Sequence, residues 1–178
     1  ALTSDLPKLV NSAAFSLARK CTSISEAVKM VGIRGIKNLL YSIGTFHLLG
    51  PSTEEQKRLW NHSYKVAFFA YNLARNFGGS RTVTEDAYVC GLLHDLGKIV
   101  LSSVHPALLD KINDLRASKE IPDRVMDALL SGINHPEIGG ALAEKWNFPD
   151  SIVASIRYHH ALDAAPDEYR QLIHTVAL

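Results

Sequence analysis

A histidine and an aspartate stand side by side in "CGLLHDLGKIVL", residues 90–101, and a lysine follows one helical turn later. The text around His94, Asp95 and Lys98 is otherwise apolar and reads as the inside of a helix. An imidazole, a carboxylate and an ammonium buried together are unfavourable unless something compensates them. Two compensations are open. One is an i,i+3 ion pair between Asp95 and Lys98; the other is a cation held by His94 and Asp95 with a phosphate beside it. Imidazole nitrogen and carboxylate oxygen together suit first-row transition ions such as iron, manganese or zinc. Successive helical residues point about 100° apart, so His94 and Asp95 can straddle one ion, or Asp95 can bridge two. Lys98 lies near the same face and could offer positive charge to a phosphoryl group.

The other histidines are unevenly placed. His62 follows Asn61 early in the preceding helical segment, His135 opens "HPEIGGALAEKW", and His159 and His160 close "SIVASIRYHH". Each falls near a helix end or on an apolar-periodic segment, from which it could point into the same bundle. Taken singly, each is more readily a hydrogen-bonded core residue; their joint order and spacing favour one shared site. His47, His105 and His174 show no partner pattern and receive no role. Cys90 precedes His94 by one turn but reads as a small buried hydrophobe, and Trp60 and Trp146 read as core aromatics.

Helices must position these groups, and helical punctuation dominates the chain. Ser23 and Glu26 form a capping-box pattern, and the following helix closes on Gly32. Ser52 and Glu55 repeat the pattern ahead of a long helix ending at Gly78–Gly79. Thr84, Glu85 and Asp86 open the helix that carries the His–Asp pair, with acids in its first turn as the helix dipole prefers. That helix, residues 84–103, is apolar almost all round and belongs at the centre of a bundle. Gly91 and Gly97 flank the pair, where they weaken the helix but admit a close neighbour. Pro106, Pro122, Pro136, Pro149 and Pro166 each sit where a helix can begin. "ALTSDLPKLV" and "YRQLIHTVAL" read as helices cut by the ends of the chain, so sequence is expected beyond both. No alternating strand run is present, and the reading is an all-α multi-helix bundle.

Composition narrows the function classes. With 19 basic and 18 acidic residues the net charge is +1, which argues against a dedicated nucleic-acid binder. Lys29, Arg34 and Lys37 form a small basic group that reads as a solvated helix face. The two cysteines, Cys21 and Cys90, lie far apart without CxxC spacing, which suits a reducing, cytoplasmic setting. No membrane partner is expected, because no run of about 18 apolar residues stands out.

"GLLHDLGK", with a histidine upstream, resembles the HD superfamily of metal-dependent phosphohydrolases. "LVNSAAFSLARKCTSISEAVKMVGIRGIKNLL" and "HPEIGGALAEKWNFPDSIVASIRYHH" narrow the likeness to the HDOD domain, a bacterial signalling relative of the HD-GYP cyclic-dinucleotide phosphodiesterases. The resemblance runs over nearly the whole chain. It implies one HDOD domain over residues 1–178, with an N-terminal helical part (1–50) and an HD-type core (51–178). It also implies that His62, His94, Asp95, His135, His159 and His160 hold one or two divalent ions, and that Lys98 contacts substrate phosphate. Asp95 and Lys98 are then the candidate catalytic residues of a phosphate-ester hydrolase. The implied partners are a sensor, receiver or other signalling protein, and a phosphate-ester or nucleotide ligand.

Two departures from the HD-GYP pattern stand out. "ALDAAPDEYR" replaces the glycine-tyrosine-proline loop after the double histidine, and a closing aspartate expected after "HTVAL" does not occur before Leu178. Asp163, Asp167 and Glu168 would stand near the mouth of the site and repel a polyanion, partly offset by Arg170. Hydrolysis of cyclic dinucleotides is therefore not expected. The reading is a signal-transduction output domain with a retained metal site; the alternative is a non-catalytic interaction module in which that site is structural or vestigial.

Overall fold

A computed structural model describes residues 10–11, 21–77, 79–105 and 134–177, with scattered positions between 107 and 118. Regular structure among the described residues is all helical. In chain order the helices are α1 (Ile24–Leu49), α2 (Glu54–Asn76), α3 (Arg81–Leu93), α4 (Leu96–Val104), α5 (His135–Lys145), α6 (Asp150–Tyr158) and α7 (Asp167–Val176), with a 3₁₀ turn at Leu162–Ala164. α3 is the central strut, packed against α1, α2, α6 and α7. Its apolar faces supply the core: Val89, Leu92 and Leu93 are almost completely buried, as are Leu96 and Ile99 on α4. The stretch Arg81–Val104 has the length and apolarity to cross a membrane, contrary to the sequence reading, but 72% of its most apolar window is buried inside the fold. Its hydrophobic surface is satisfied by the other helices.

Local sequence chemistry sets the ends of these elements, sometimes a residue or a turn away from the expected place. Ser23 caps α1 by accepting from the Glu26 amide, while the Glu26 carboxylate takes the Thr22 N–H and hydroxyl rather than the Ser23 amide. At Gly32 the backbone leaves helical geometry (φ 75°, ψ 162°), the expected stop, and the helix restarts in a new direction. The capping box of α2 is Thr53 with Gln56, not Ser52 with Glu55. The buried Gln56 side chain accepts from the amides of Ser52 and Thr53, and Glu55 turns outward to pair with Arg58. α2 ends at Asn76, and the Gly79 amide reaches back to the Ala74 carbonyl. α3 begins one turn before Thr84, because Ser80 takes the capping role and accepts from the Val83 amide. Pro136 lies in the first turn of α5, and Pro149 and Pro166 cap α6 and α7. Pro106, Pro122 and nearly all of the N-terminal "ALTSDLPKLV" lie outside the described residues.

Three further expectations need correction. The His–Asp pair is not inside a continuous helix: α3 stops at Leu93 and α4 starts at Leu96. Glycines on both sides weaken the helix there, and α5 approaches the backbone closely at Gly97. Arg34 is not part of a solvated basic face, because its guanidinium makes a two-pronged contact (2.7 and 2.6 Å) with the buried Asp86 carboxylate. Asn38 adds a third donor to Asp86 and so ties α1 to α3. Trp60 is a core aromatic whose indole N–H donates to the Leu49 carbonyl, but Trp146 is only half-buried.

Close backbone approach decides how α4 meets α5. A Cβ on Gly97 would overlap the carbonyl oxygen of His135 and lie 3.0 Å from the Gly139 amide nitrogen. On the other side, a Cβ on Gly91 would lie 2.7 Å from the Cα of Ala67 on α2. Backbone cannot rotate away as a side chain can, so Gly97→Ala must push α5 off α4. Overpacking of this kind costs about 1–3 kcal/mol, and Gly97→Ala is expected to lower the urea midpoint accordingly. Gly44→Ala, whose Cβ meets nothing within 4 Å, is the matched control and should be neutral or stabilising by up to about 1 kcal/mol.

Candidate metal centre

Asp95 sits at the break between α3 and α4 and is 1% exposed. It does not cap α4 with its side chain; the carboxylate turns inward, and imidazoles from four elements surround it. Oδ2 lies 3.4 Å from His94 Nε2, 3.7 Å from His62 Nε2 on α2 and 2.9 Å from Lys98 Nζ on α4. Oδ1 lies 3.2 Å from His135 Nε2 at the start of α5 and 3.7 Å from His159 Nε2 at the end of α6. The His160 ring stacks beside His159, with centroids 4.0 Å apart. All six candidate residues and Lys98 therefore meet in one place. Their ligand atoms form two groups, His62–His94–Asp95 and Asp95–His135–His159–His160, each within 4.8 Å and both containing Asp95.

Proton bookkeeping shows what the cluster needs. His94 Nδ1 lies 2.8 Å from the Gly91 carbonyl, and His159 Nδ1 lies 2.8 Å from the Ile156 carbonyl. A carbonyl only accepts, so both Nδ1 atoms carry hydrogen, and the His94 ring, kept neutral by burial, presents a bare Nε2 lone pair to Asp95. His135 Nε2 and His159 Nε2 approach to 3.2 Å, a distance at which at most one proton can sit between them. Oδ1 of Asp95 is buried and has no hydrogen bond of acceptable geometry. Several acceptor atoms thus converge with too few protons to go round. The 3.4 and 3.2 Å separations of His94 and His135 from Asp95 also match neighbouring ligands around one ion, since ligands at ~2.1 Å lie about 3.0–3.4 Å apart in octahedral or tetrahedral geometry; His62 and His159, at 3.7 Å, lie just outside that range. A divalent transition ion fits this donor set, and carbonyl-anchored imidazoles are the usual outer support of such sites.

Electrostatics favours the unprotonated rings. Burial drives His94 and His160 down to about 4 and also lowers His135. Burial alone would raise the Asp95 carboxyl; the imidazoles of His135 and His159, with His94 and Lys98, outweigh it and hold Asp95 well below the usual carboxylate range. The base of the site (His94, Asp95, His159) is buried, whereas His62 and His160 are exposed at the rim. A ligand can therefore enter from the His62–His160 side and meet Lys98 at the wall.

Two supports of the cluster carry no signal in the sequence. The Gly91 and Ile156 carbonyls fix two tautomers simply because each lies three residues before its histidine. Arg157 clamps α6 to α5 through Glu144 and Glu137 while its side chain covers Gly140; it could have been found only from the packing of the two helices. Cys90, pushed up to about 12 by burial, sits against the Ser151 carbonyl and takes no part in the cluster. His47, His105 and His174 are exposed elsewhere.

The neutral imidazoles make a prediction about pH. His94 and His160 titrate near 4 when folded, against 6.5 for an ordinary histidine, so between those values the unfolded chain binds more protons. Stability of metal-free protein should then fall as pH drops from 6.5 towards 4. The Asp95 contribution persists through that range and is lost only below its ordinary value of 3.8. Urea midpoints measured with chelator at pH 7.5 and pH 5 check this, the lower pH giving the lower midpoint.

Comparison with known proteins places the architecture. The HDOD domain profile matches residues 1–162. A Treponema pallidum protein is 48% identical over 177 residues, which is 99% of this chain and 34% of that protein. An HDOD domain protein of unknown function from Geobacter sulfurreducens superposes with a TM-score of 0.75 at 28% identity, covering 99% of this chain and 59% of that one. A protein of Shewanella amazonensis, provisionally described as a phosphohydrolase, superposes at 0.72 with 26% identity over 99% of this chain and 62% of the other. The chain thus spans a third to three-fifths of these proteins, and its likeness to the HDOD profile covers α1 to α6 and the histidine cluster alike: it belongs to the HDOD domain family.

Proposed function

We propose that this chain is a cytoplasmic bacterial signal-transduction domain that holds one or two divalent transition ions and presents them to a phosphate-bearing ligand. One observation carries the reading: Asp95 Oδ1 is buried without a hydrogen bond of acceptable geometry and faced by the Nε2 atoms of His135 and His159. Removing a carboxylate from water without compensation is costly, and a cation supplies what the protons cannot. His62, His94 and one oxygen of Asp95 would hold one ion; the other oxygen, with His135, His159 and His160, would hold the second. A bound ion supplies a water of lowered pKa and a charge that polarises a phosphoryl oxygen. Lys98 now donates to Asp95 Oδ2; once an ion neutralises that oxygen, its ammonium is free to turn towards an entering phosphate. The exposed His62 and His160 leave the mouth open to such a ligand, while burial of His94 keeps its lone pair unprotonated at neutral pH.

Regulation is favoured over turnover for polyanionic substrates. After His160 the chain makes the 3₁₀ turn Leu162–Ala164 and then α7, with Asp163, Asp167 and Glu168 exposed. Arg170 pairs with Asp167 and donates to the Ala165 carbonyl, so it offsets only part of that negative charge. The Shewanella amazonensis protein, provisionally described as a phosphohydrolase, supports the phosphate half of the reading.

The test is elemental analysis joined to ligand binding. Protein purified without chelator should carry one to two transition ions per chain, and Asp95→Ala should carry almost none. Lys98→Met should keep the metal and lose about tenfold in affinity for inorganic phosphate, the equivalent of ~1.4 kcal/mol. Metal-free wild type after purification with adequate metal supply would return Asp95 to a plain ion pair with Lys98. Metal-loaded protein that linearises a cyclic dinucleotide with many turnovers, and loses this on Asp95→Ala, would replace the regulatory reading with an enzymatic one.

A further inference from the structure

The bend in α1 leaves room elsewhere in the fold. Where the backbone turns at Gly32 it passes directly over α3: a Cβ at this position would lie 2.5 Å from Glu85 Oε1. Gly35, one turn on, also presents no side chain. Between the bent helix, α2 and the first half of α3 lies a cavity of about 430 Å³. That is within the ~300–1,000 Å³ usual for small-molecule sites. Val31, Leu39 and Val89 give it an apolar floor, and the rings of Tyr71 and Tyr88 line it.

Charge at the rim is unbalanced. Glu85 is the one carboxylate among the lining residues, and Arg81 answers it at 2.7 Å. Lys29 also lines the cavity and has no carboxylate partner among the described residues. One positive charge therefore remains beside an apolar, aromatic hollow. The hollow adjoins the first turn of α3, where the helix dipole favours negative charge. The metal centre is separate: Glu85 lies in the first half of α3, and His94 follows the last residue of that helix, nine positions and about 13 Å further on at 1.5 Å per residue.

We propose that this cavity is a second ligand site, for a small molecule with a planar aromatic body and a single anionic group. The ring lies between the tyrosines and the apolar floor, and the anion meets Lys29. Because α3 runs from this cavity to the His–Asp pair, such a ligand would bind the strut that carries the metal centre without touching its ligands.

Titration calorimetry with 2-naphthalenesulfonate, which no phosphohydrolase can cleave, tests the proposal. Saturable one-to-one binding is expected, equal in metal-loaded and chelator-treated protein. Neutral 2-naphthol and ring-free methanesulfonate should each bind more weakly. Lys29 is exposed, so its replacement spares the fold, and circular dichroism verifies that. Affinity should fall in the order wild type, Lys29→Met, Lys29→Glu, with about a tenfold loss in the last. The proposal is overturned by absence of saturable binding, by binding that disappears with chelator, or by Lys29→Glu protein that binds within about twofold of wild type.

Discussion

One buried carboxylate organises the molecule. Asp95 lies at 1% exposure where the apolar strut of the bundle breaks, and every group near it answers its charge or competes for its lone pairs. A carboxylate in such surroundings either takes up a proton or gathers positive charge. Here the second course is built into the fold: Lys98 donates to Oδ2, and His62, His94, His135 and His159 all place Nε2 within 3.7 Å of its oxygens, where they could share a cation with it. The helices are arranged so that these rings can reach it, and the unusual local features serve that end.

Those features differ in energetic weight. The backbone contact of Gly97 with His135 and Gly139 sets the separation of α4 and α5, and no side-chain movement can relax it. The Arg34–Asp86–Asn38 network is mostly buried on the acid side, so losing the arginine would strand a charge in the interior. The Arg157 clamp on Glu144 and Glu137 lies at the surface, where ion pairs contribute about 0–1 kcal/mol. Its value is geometric, since it fixes the pair of helices that carry His135 and His159. The Glu54–Lys57 pair on α2 spans a single turn of that helix.

Much of this was legible in the sequence because the signals are local. Capping residues, prolines in first turns and an all-apolar strut mark helices wherever they occur, and errors were confined to a residue or a turn, as at Thr53 and Ser80. The six candidate residues could be named because helix ends and apolar-periodic segments restrict where a histidine can point, and the family likeness supplied their order. What was hidden is what depends on two distant segments meeting. Nothing in "LHDLG" announces that the helix breaks there; the break reflects weak propensity on both sides together with the approach of α5. Nor could Arg34 be told from a solvated cation, because its partner Asp86 lies 52 residues away. Trp146 looked like core for the same reason: its half-exposed position is set by how the α5–α6 turn meets α1.

The ligand set is drawn from α2, the α3–α4 break, α5 and α6, so an ion bound there would close long loops of the chain at a single point. A cross-link of this type acts on the unfolded state by removing loop-closure entropy, and on the folded state by making its helices open together rather than separately. Occupancy would then be written into the mechanics of the whole bundle. A filled centre would make one cooperative unit, and an emptied one would leave α5 and α6 held by the burial of Ala143, Ile152 and Ile156 in the core, by backbone contact at Gly97 and by a surface clamp. A domain wired in this way can report the supply of metal as stiffness, and a neighbour joined to any of these helices would sense it without approaching the ion.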